Sequence, residues 1–261
     1  MPTTAAGDVS LYYEVAGSGE PVVFVSEAGL GGWSWGWQHA AVTGPFQSVV
    51  WDLRGTGRSD SPPGPYELST LADDLEAVLA AVSARRAHVV GAGLGGAIAL
   101  AAARESTRIE TLTLLGTGDR GEAFDLEALV APPDDREAIR DSLESVLTAD
   151  FRRNQPDVVD GIVDWRAEGD ADLAGVRAQL AALESFDVTA WGYEVDQPTL
   201  VVHGTADSLV PVEAGRALAD ALPRGGFQPI DDAGHLAQIE CSRAVNDRLL
   251  GFLDGHAVDA A

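Results

Sequence analysis

Few segments of this chain place reactive residue types at spacings that could do chemistry. Gly91-Ala92-Gly93-Leu94-Gly95-Gly96 follows the apolar run His88-Val89-Val90 and opens a small-residue helix at 97–105. A G-x-G-x-x-G turn between strand and helix is where backbone amides and a helix N-terminus can receive a dinucleotide's pyrophosphate. That use also asks for an acidic side chain about twenty residues on, at the end of the next strand. Here the next strand, 111–115, runs into Gly116-Thr117-Gly118, and Asp119 comes late. A nucleotide site is therefore the minor alternative. Trp33, Trp35 and Trp37 share one face if their loop is extended, and would wall an apolar pocket. Asp52, Arg54 and Arg58 suit a loop tied by charge-assisted hydrogen bonds. Cys241, the single cysteine, lies six residues past His235 and is expected to be a buried small residue, not a nucleophile. No His, Cys, Asp or Glu grouping has metal-ligand spacing, so neither a metal nor a cofactor is expected.

The elements that must position these residues alternate. Runs 9–15, 21–26, 46–52, 88–90, 111–115 and 198–204 are predicted strands, several apolar on both faces. Run 69–86 is a predicted helix with Ser69 as its cap, a Leu71/Leu75/Val78/Leu79 stripe and Arg85 and Arg86 in the last turn. Helices at 211–222 and 240–254 flank a strand near 227–230. The fold class is α/β, a mostly parallel sheet covered by helices on both faces. Between Asp119 and Val195 the chain turns acidic, strand-poor and helical. This predicts a core of residues 1–118 and 196–261, with 119–195 inserted as a helical cap.

Composition narrows the classes further. The 261 residues carry 41 acidic and 17 basic side chains, a formal net charge of -24; every basic residue is Arg. Such a field repels polyanions, which argues against nucleic acid as a partner. It is quietened by concentrated salt, whose Debye length at 1 M is about 3 Å, and suggests a halophilic protein. With 46% hydrophobic residues there is ample core material. One cysteine excludes an internal disulfide. The first ten residues show no signal-peptide pattern, and the longest uncharged run, 87–103, is too short and glycine-rich to span a bilayer. A cytoplasmic protein without membrane partners is expected.

Five segments together resemble the α/β-hydrolase fold family, in particular small capped esterases, lactonases and iminopeptidase-like members. They are VVFVSEAGLGGWSW, DLRGTGRSD, VVGAGLGGAIAL, VVHGTADSLVP and DDAGHLAQIE. The resemblance covers nearly the whole chain and is loosest in the cap. It implies a nucleophile elbow, G-x-S-x-G, at 91–95. It implies Asp207 as the acid and His235 as the base of a relay, with the Ala28 and Leu94 amides as oxyanion donors. Two departures stand out. The nucleophile position holds Gly93, which has no side chain to attack with. The oxyanion loop, usually His-Gly, reads Ser26-Glu27, bringing a carboxylate to where an anion should be stabilised.

Several readings follow. Glu27 and His235 could form a carboxylate–imidazole pair that activates water or removes a substrate proton, with Asp207 orienting the ring. The chain could instead be a catalytically silent relative that binds a small apolar molecule under its cap, beside Ser26, Trp33 and Trp35. A single engineered Ser-to-Gly change would not account for Ser26-Glu27 as well.

Overall fold

The computed structural model describes residues 2–256. Its strands are β1 (Thr3–Ala6), β2 (Val9–Gly17), β3 (Pro21–Val25), β4 (Gln47–Trp51), β5 (Ala87–Ala92), β6 (Ile109–Leu115), β7 (Thr199–Gly204) and β8 (Gly225–Ile230). They form one sheet in the order β1-β2-β4-β3-β5-β6-β7-β8. β1 and β2 are antiparallel, as are β2 and β4; from β4 to β8 every pair is parallel. β5 and β7 are buried along their whole length, as expected of parallel strands covered on both faces.

The two-residue period of the strands divides the core. Val23, Val25, Val89, Leu112 and Leu114 pack with Leu71, Leu75, Val78 and Leu79 of α2 (Leu68–Ala81) and Ile98 of α3 (Leu94–Ala103). Val22, Phe24, Val90, Ala92, Leu115 and Val202 face the other way. They meet Val42 of α1 (Gly36–Val42) and Val245, Leu249 and Leu253 of α10 (Ser242–Asp254). This is the α/β-hydrolase fold.

Between β6 and β7 lie α4 (Arg136–Val146), α5 (Ala149–Asn154), α6 (Pro156–Gly169) and α7 (Leu173–Leu180). Each opens on a recognisable start signal: Asp135 caps α4, Thr148 caps α5, Pro156 opens α6, and Asp172 caps α7. The helical segment is fastened to the loop after β3. Asp170 accepts from Trp33 Nε1 at 2.8 Å and Gly31 N–H at 3.2 Å. Its other oxygen accepts from Arg166 Nε at 2.6 Å, and Arg166 also donates to Ser142 Oγ and the Leu129 carbonyl. Gln179 accepts from Gly29 N–H at 2.8 Å and donates to the Arg54 carbonyl and Thr56 Oγ. α8 (Val212–Ala221) and α9 (Ala237–Glu240) complete the α-helices among the described residues.

Local sequence signals miss where tertiary contacts decide. The run 30–42 is not extended: Gly32–Trp35 is a 3₁₀ turn that leads into α1. Its Gln38 amide is held by the Gln238 carbonyl and Asn246, two hundred residues away in sequence. α2 ends at Ala81 because Ser83 adopts φ 56°, so Arg85 and Arg86 fall beyond it, where Arg86 pairs with Glu110. Ser69 is not the cap; it lies inside α2 and donates to Glu67.

Asp170 is a buried carboxylate whose removal strands the buried Arg166 charge. Asp170→Ala should lower unfolding stability by about 3–5 kcal/mol, measured by urea denaturation at fixed salt. An unchanged midpoint would show that this junction does not hold the helices to the sheet.

Candidate functional site

Four loops leave the carboxyl ends of β3, β5, β7 and β8 and converge, which is where ligands of open α/β sheets bind. The turn between β5 and α3 is the sharpest. Gly93 sits there at φ 50°, ψ -112°, a conformation that L side chains rarely adopt. Gly95 lets α3 approach the end of β3, since a Cβ there would run into the Val25 carbonyl. Above Gly93 lies the carboxylate of Glu27: a Cβ built on Gly93 would coincide with Glu27 Oε2.

Glu27 is 1% exposed, and each of its oxygens is bonded. Oε1 accepts from Ala28 N–H at 2.6 Å and Leu94 N–H at 3.0 Å. Leu94 is the first residue of α3, so one of the helix's orphan amides is satisfied by an anion at its positive end. Oε2 lies 2.9 Å from His235 Nε2. The other ring nitrogen, Nδ1, lies 2.8 Å from Asp207 Oδ2. Asp207 Oδ1 accepts in turn from Leu209 and Val210 N–H at 2.9 and 3.0 Å. The His235 side chain is 2% exposed.

Electrostatics fix the protonation of this row. Burial alone would push the His235 ring down. It is outweighed by the Asp207 charge and hydrogen bond, then by those of Glu27, which carry the ring up to about 10. For Asp207, burial pushes up, but the His235 charge and the hydrogen bonds of His203 and His235 hold the carboxyl well below the usual range. At neutral pH His235 is therefore an imidazolium whose two N–H groups donate to two carboxylates. In this state it can give a proton but cannot take one.

The remaining sequence candidates fall elsewhere. Trp35 is fully buried against Phe24, ring centroids 5.1 Å apart, in the core on the α1 side. Trp33 and Trp37 meet Trp165 of α6 at 6.1 and 6.0 Å, and a 340 Å³ groove there is lined by Trp33, Trp165, Asp52 and Arg58. Ser26 is buried with no hydrogen-bond partner for its hydroxyl. Asp52 ties Gly32 and Arg58 amides, and Arg54 forms a two-pronged bond to buried Asp74, so both hold loops. Cys241 is half-buried at the start of α10, and burial pushes its thiol up. Beside Ala28, a void of 10 Å³ lies under Leu129, Ala131 and Val176. It has room for one water at most. Among the described residues no cluster could hold a metal ion, and no helix is long and apolar enough to cross a membrane.

Sequence reasoning overlooked His203, Gln179 and Asp170. His203 stands four residues before Asp207 and could have been found from that spacing; Gln179 and Asp170 come from helices with no local signal.

The convergence of these loops on one fold matches known proteins. Residues 22–248 match the model of the alpha/beta hydrolase family. The chain belongs to that family. A candidate carbamate hydrolase, RutD, of Caulobacter segnis is 31% identical over 97% of this chain and 99% of its own. The enol-lactonase from Burkholderia xenovorans LB400 is 27% identical, with a TM-score of 0.85 over 96% of this chain and 99% of its own. A thermophilic esterase from Thermogutta terrifontis is likewise 27% identical, with a TM-score of 0.83 over 96% and 95%.

The charge state makes a pH prediction. His235 has its folded-state pKa raised, so its stabilisation is full below about 6.5 and is lost as pH rises toward 10. Asp207 is depressed, so its contribution is present above about pH 4 and lost in acid. Unfolding free energy should therefore fall by a few kcal/mol between pH 7 and 10. His235→Gln should flatten that slope, and an equally steep slope in the variant would refute the assignment.

Steric exclusion makes a second. Gly93→Ser should be strongly destabilising with Glu27 present and much less so in a Glu27→Ala background. The expected coupling in a double-mutant cycle is above about 1 kcal/mol. Additive effects would mean that the two residues do not share this space.

Proposed function

We propose that this chain is a serine-less member of its family in which Glu27 takes the place of the elbow nucleophile and shares proton transfer with His235. The observation that carries this reading is the Glu27 carboxylate between two backbone amides and the His235 ring, over a glycine at the strained turn. Gly93 stands at the nucleophile position, the Ala28 and Leu94 amides that an oxyanion site would use are held by Glu27 Oε1, and Asp207 orients the imidazole. With no hydroxyl or thiol at the apex, an acyl-enzyme on residue 93 is ruled out.

The proton balance closes without a covalent intermediate. Water adds to a substrate carbonyl while its proton passes to Glu27 Oε2. The departing group takes the proton of the His235 imidazolium. Glu27 then returns its proton to the neutral ring across the 2.9 Å contact, restoring carboxylate and imidazolium. Residues 119–195 act as a cap over the core of 1–118 and 196–261. The substrate class proposed is a small, uncharged carbonyl compound, consistent with the lactonase, esterase and carbamate hydrolase names of the relatives. Entry requires α6 and α7 to part from the loop after β3, because Glu27 and His235 are only 1% and 4% exposed. The setting proposed is the cytoplasm at high salt, which suits the net charge of -24, a field that also repels polyanions.

A second reading draws on that closure. A carboxylate that already fills the amide pair mimics a bound anion, as a non-catalytic relative binding a small apolar ligand under the cap would allow.

The test is a high-salt screen of esters, lactones and carbamates beside a fluorophosphonate probe. The proton-transfer reading expects turnover without probe labelling, and loss of at least about 100-fold in both Glu27→Gln and His235→Ala. Full activity in both variants discards it. Ligand binding without turnover, unchanged in His235→Ala, establishes the second reading instead.

A further inference from the structure

The row of charges does not end at Asp207. Behind it, on β7, lies His203, fully buried. Its Nε2 is 2.8 Å from the Val210 carbonyl and 3.2 Å from Asp207 Oδ2. A carbonyl oxygen only accepts, so Nε2 carries the hydrogen and donates it to Val210, with Asp207 Oδ2 3.2 Å from the same N–H. Nδ1 has no hydrogen-bond partner. The ring fits because residue 215, in the buried face of α8, is a glycine: a Cβ there would run into His203 Nδ1.

Asp207 Oδ2 thus stands between two imidazoles, 2.8 Å from His235 Nδ1 and 3.2 Å from His203 Nε2. We propose that His203 is a positioning residue that holds the Asp207 carboxylate against His235, and that Gly215 is what makes room for it. Without the His203 N–H at 3.2 Å, Oδ2 would lose the second positive dipole beside it, and Asp207 would hold the imidazolium less firmly. The direction agrees with the downward pull of the His203 hydrogen bond on the Asp207 carboxyl. The titratable groups facing the row are Glu27 on His235 Nε2, Asp207 on Nδ1, and His203 on Asp207. Glu240 adjoins it through the amides of Gly234 and Thr148. The inference rests on the reading of Asp207 as the residue that orients the ring, but its readout does not require turnover.

Nitrogen-15 NMR of the histidine rings of the intact protein, followed with pH, is the test. In the unmodified protein, the neutral His203 ring should carry its hydrogen on Nε2. A neutral ring with its hydrogen on Nδ1 instead overturns the proposal. His203→Leu should move the His235 titration down by about one pH unit or more. His203→Gln, whose amide nitrogen can donate from the same place, should restore it. Gly215→Ala should shift it in the same direction as the leucine variant by displacing the ring. A folded leucine variant with the His235 titration unmoved refutes the inference; if that variant does not fold, the unmodified protein's tautomer and Gly215→Ala decide. An empty activity screen would count against the proton-transfer reading and leave these outcomes standing.

Discussion

A buried carboxylate clamped by two backbone amides and an imidazolium is the constraint on which the rest of this structure depends. Taking a carboxylate out of water costs several kcal/mol even after relaxation, and an unpaired one would ionise differently or pull the fold open. Every acceptor in the row Glu27–His235–Asp207 therefore has its donor: Ala28, Leu94, Leu209 and Val210 amides on the outer oxygens, the two ring N–H groups between. The row carries one positive charge between two negative ones.

The fold supplies these donors at the ends of four parallel strands. The glycines at 93 and 95 bring α3 close enough for its first amide to reach Glu27. The helical segment after β6 then closes the site through Asp170, Ala171 and Gln179, all bonded to residues 29–33 or to the loop after β4. Exclusion of water strengthens the attraction within the row. Glu27 is left 1% exposed.

Much of the sheet was legible in the sequence because parallel strands buried on both faces announce themselves as apolar runs, as at 198–204 and 88–90. Glu27, Gly93, Asp207 and His235 were legible as departures from or matches to a family pattern. What the letters could not show is that two departures, a lost side chain at 93 and a gained carboxylate at 27, fill one volume. That complementarity is a long-range contact between loops 66 residues apart. Trp35 misled for a related reason: alternation in a loop implies a shared face only if the backbone is extended, and the 3₁₀ turn sends Trp35 into the core while Trp33 meets Asp170. Likewise the last turn expected of α2 gives way to a residue at positive φ, Ser83.

The most direct measurement of the central claim is the amide proton shift of Ala28 and Leu94. Hydrogen bonds to an ionised acceptor are shorter and stronger than neutral ones, so both protons should resonate far downfield and move upfield together in Glu27→Gln at neutral pH. Should both amides keep their positions in that variant, the carboxylate is not what they hold, and the account of the site is wrong.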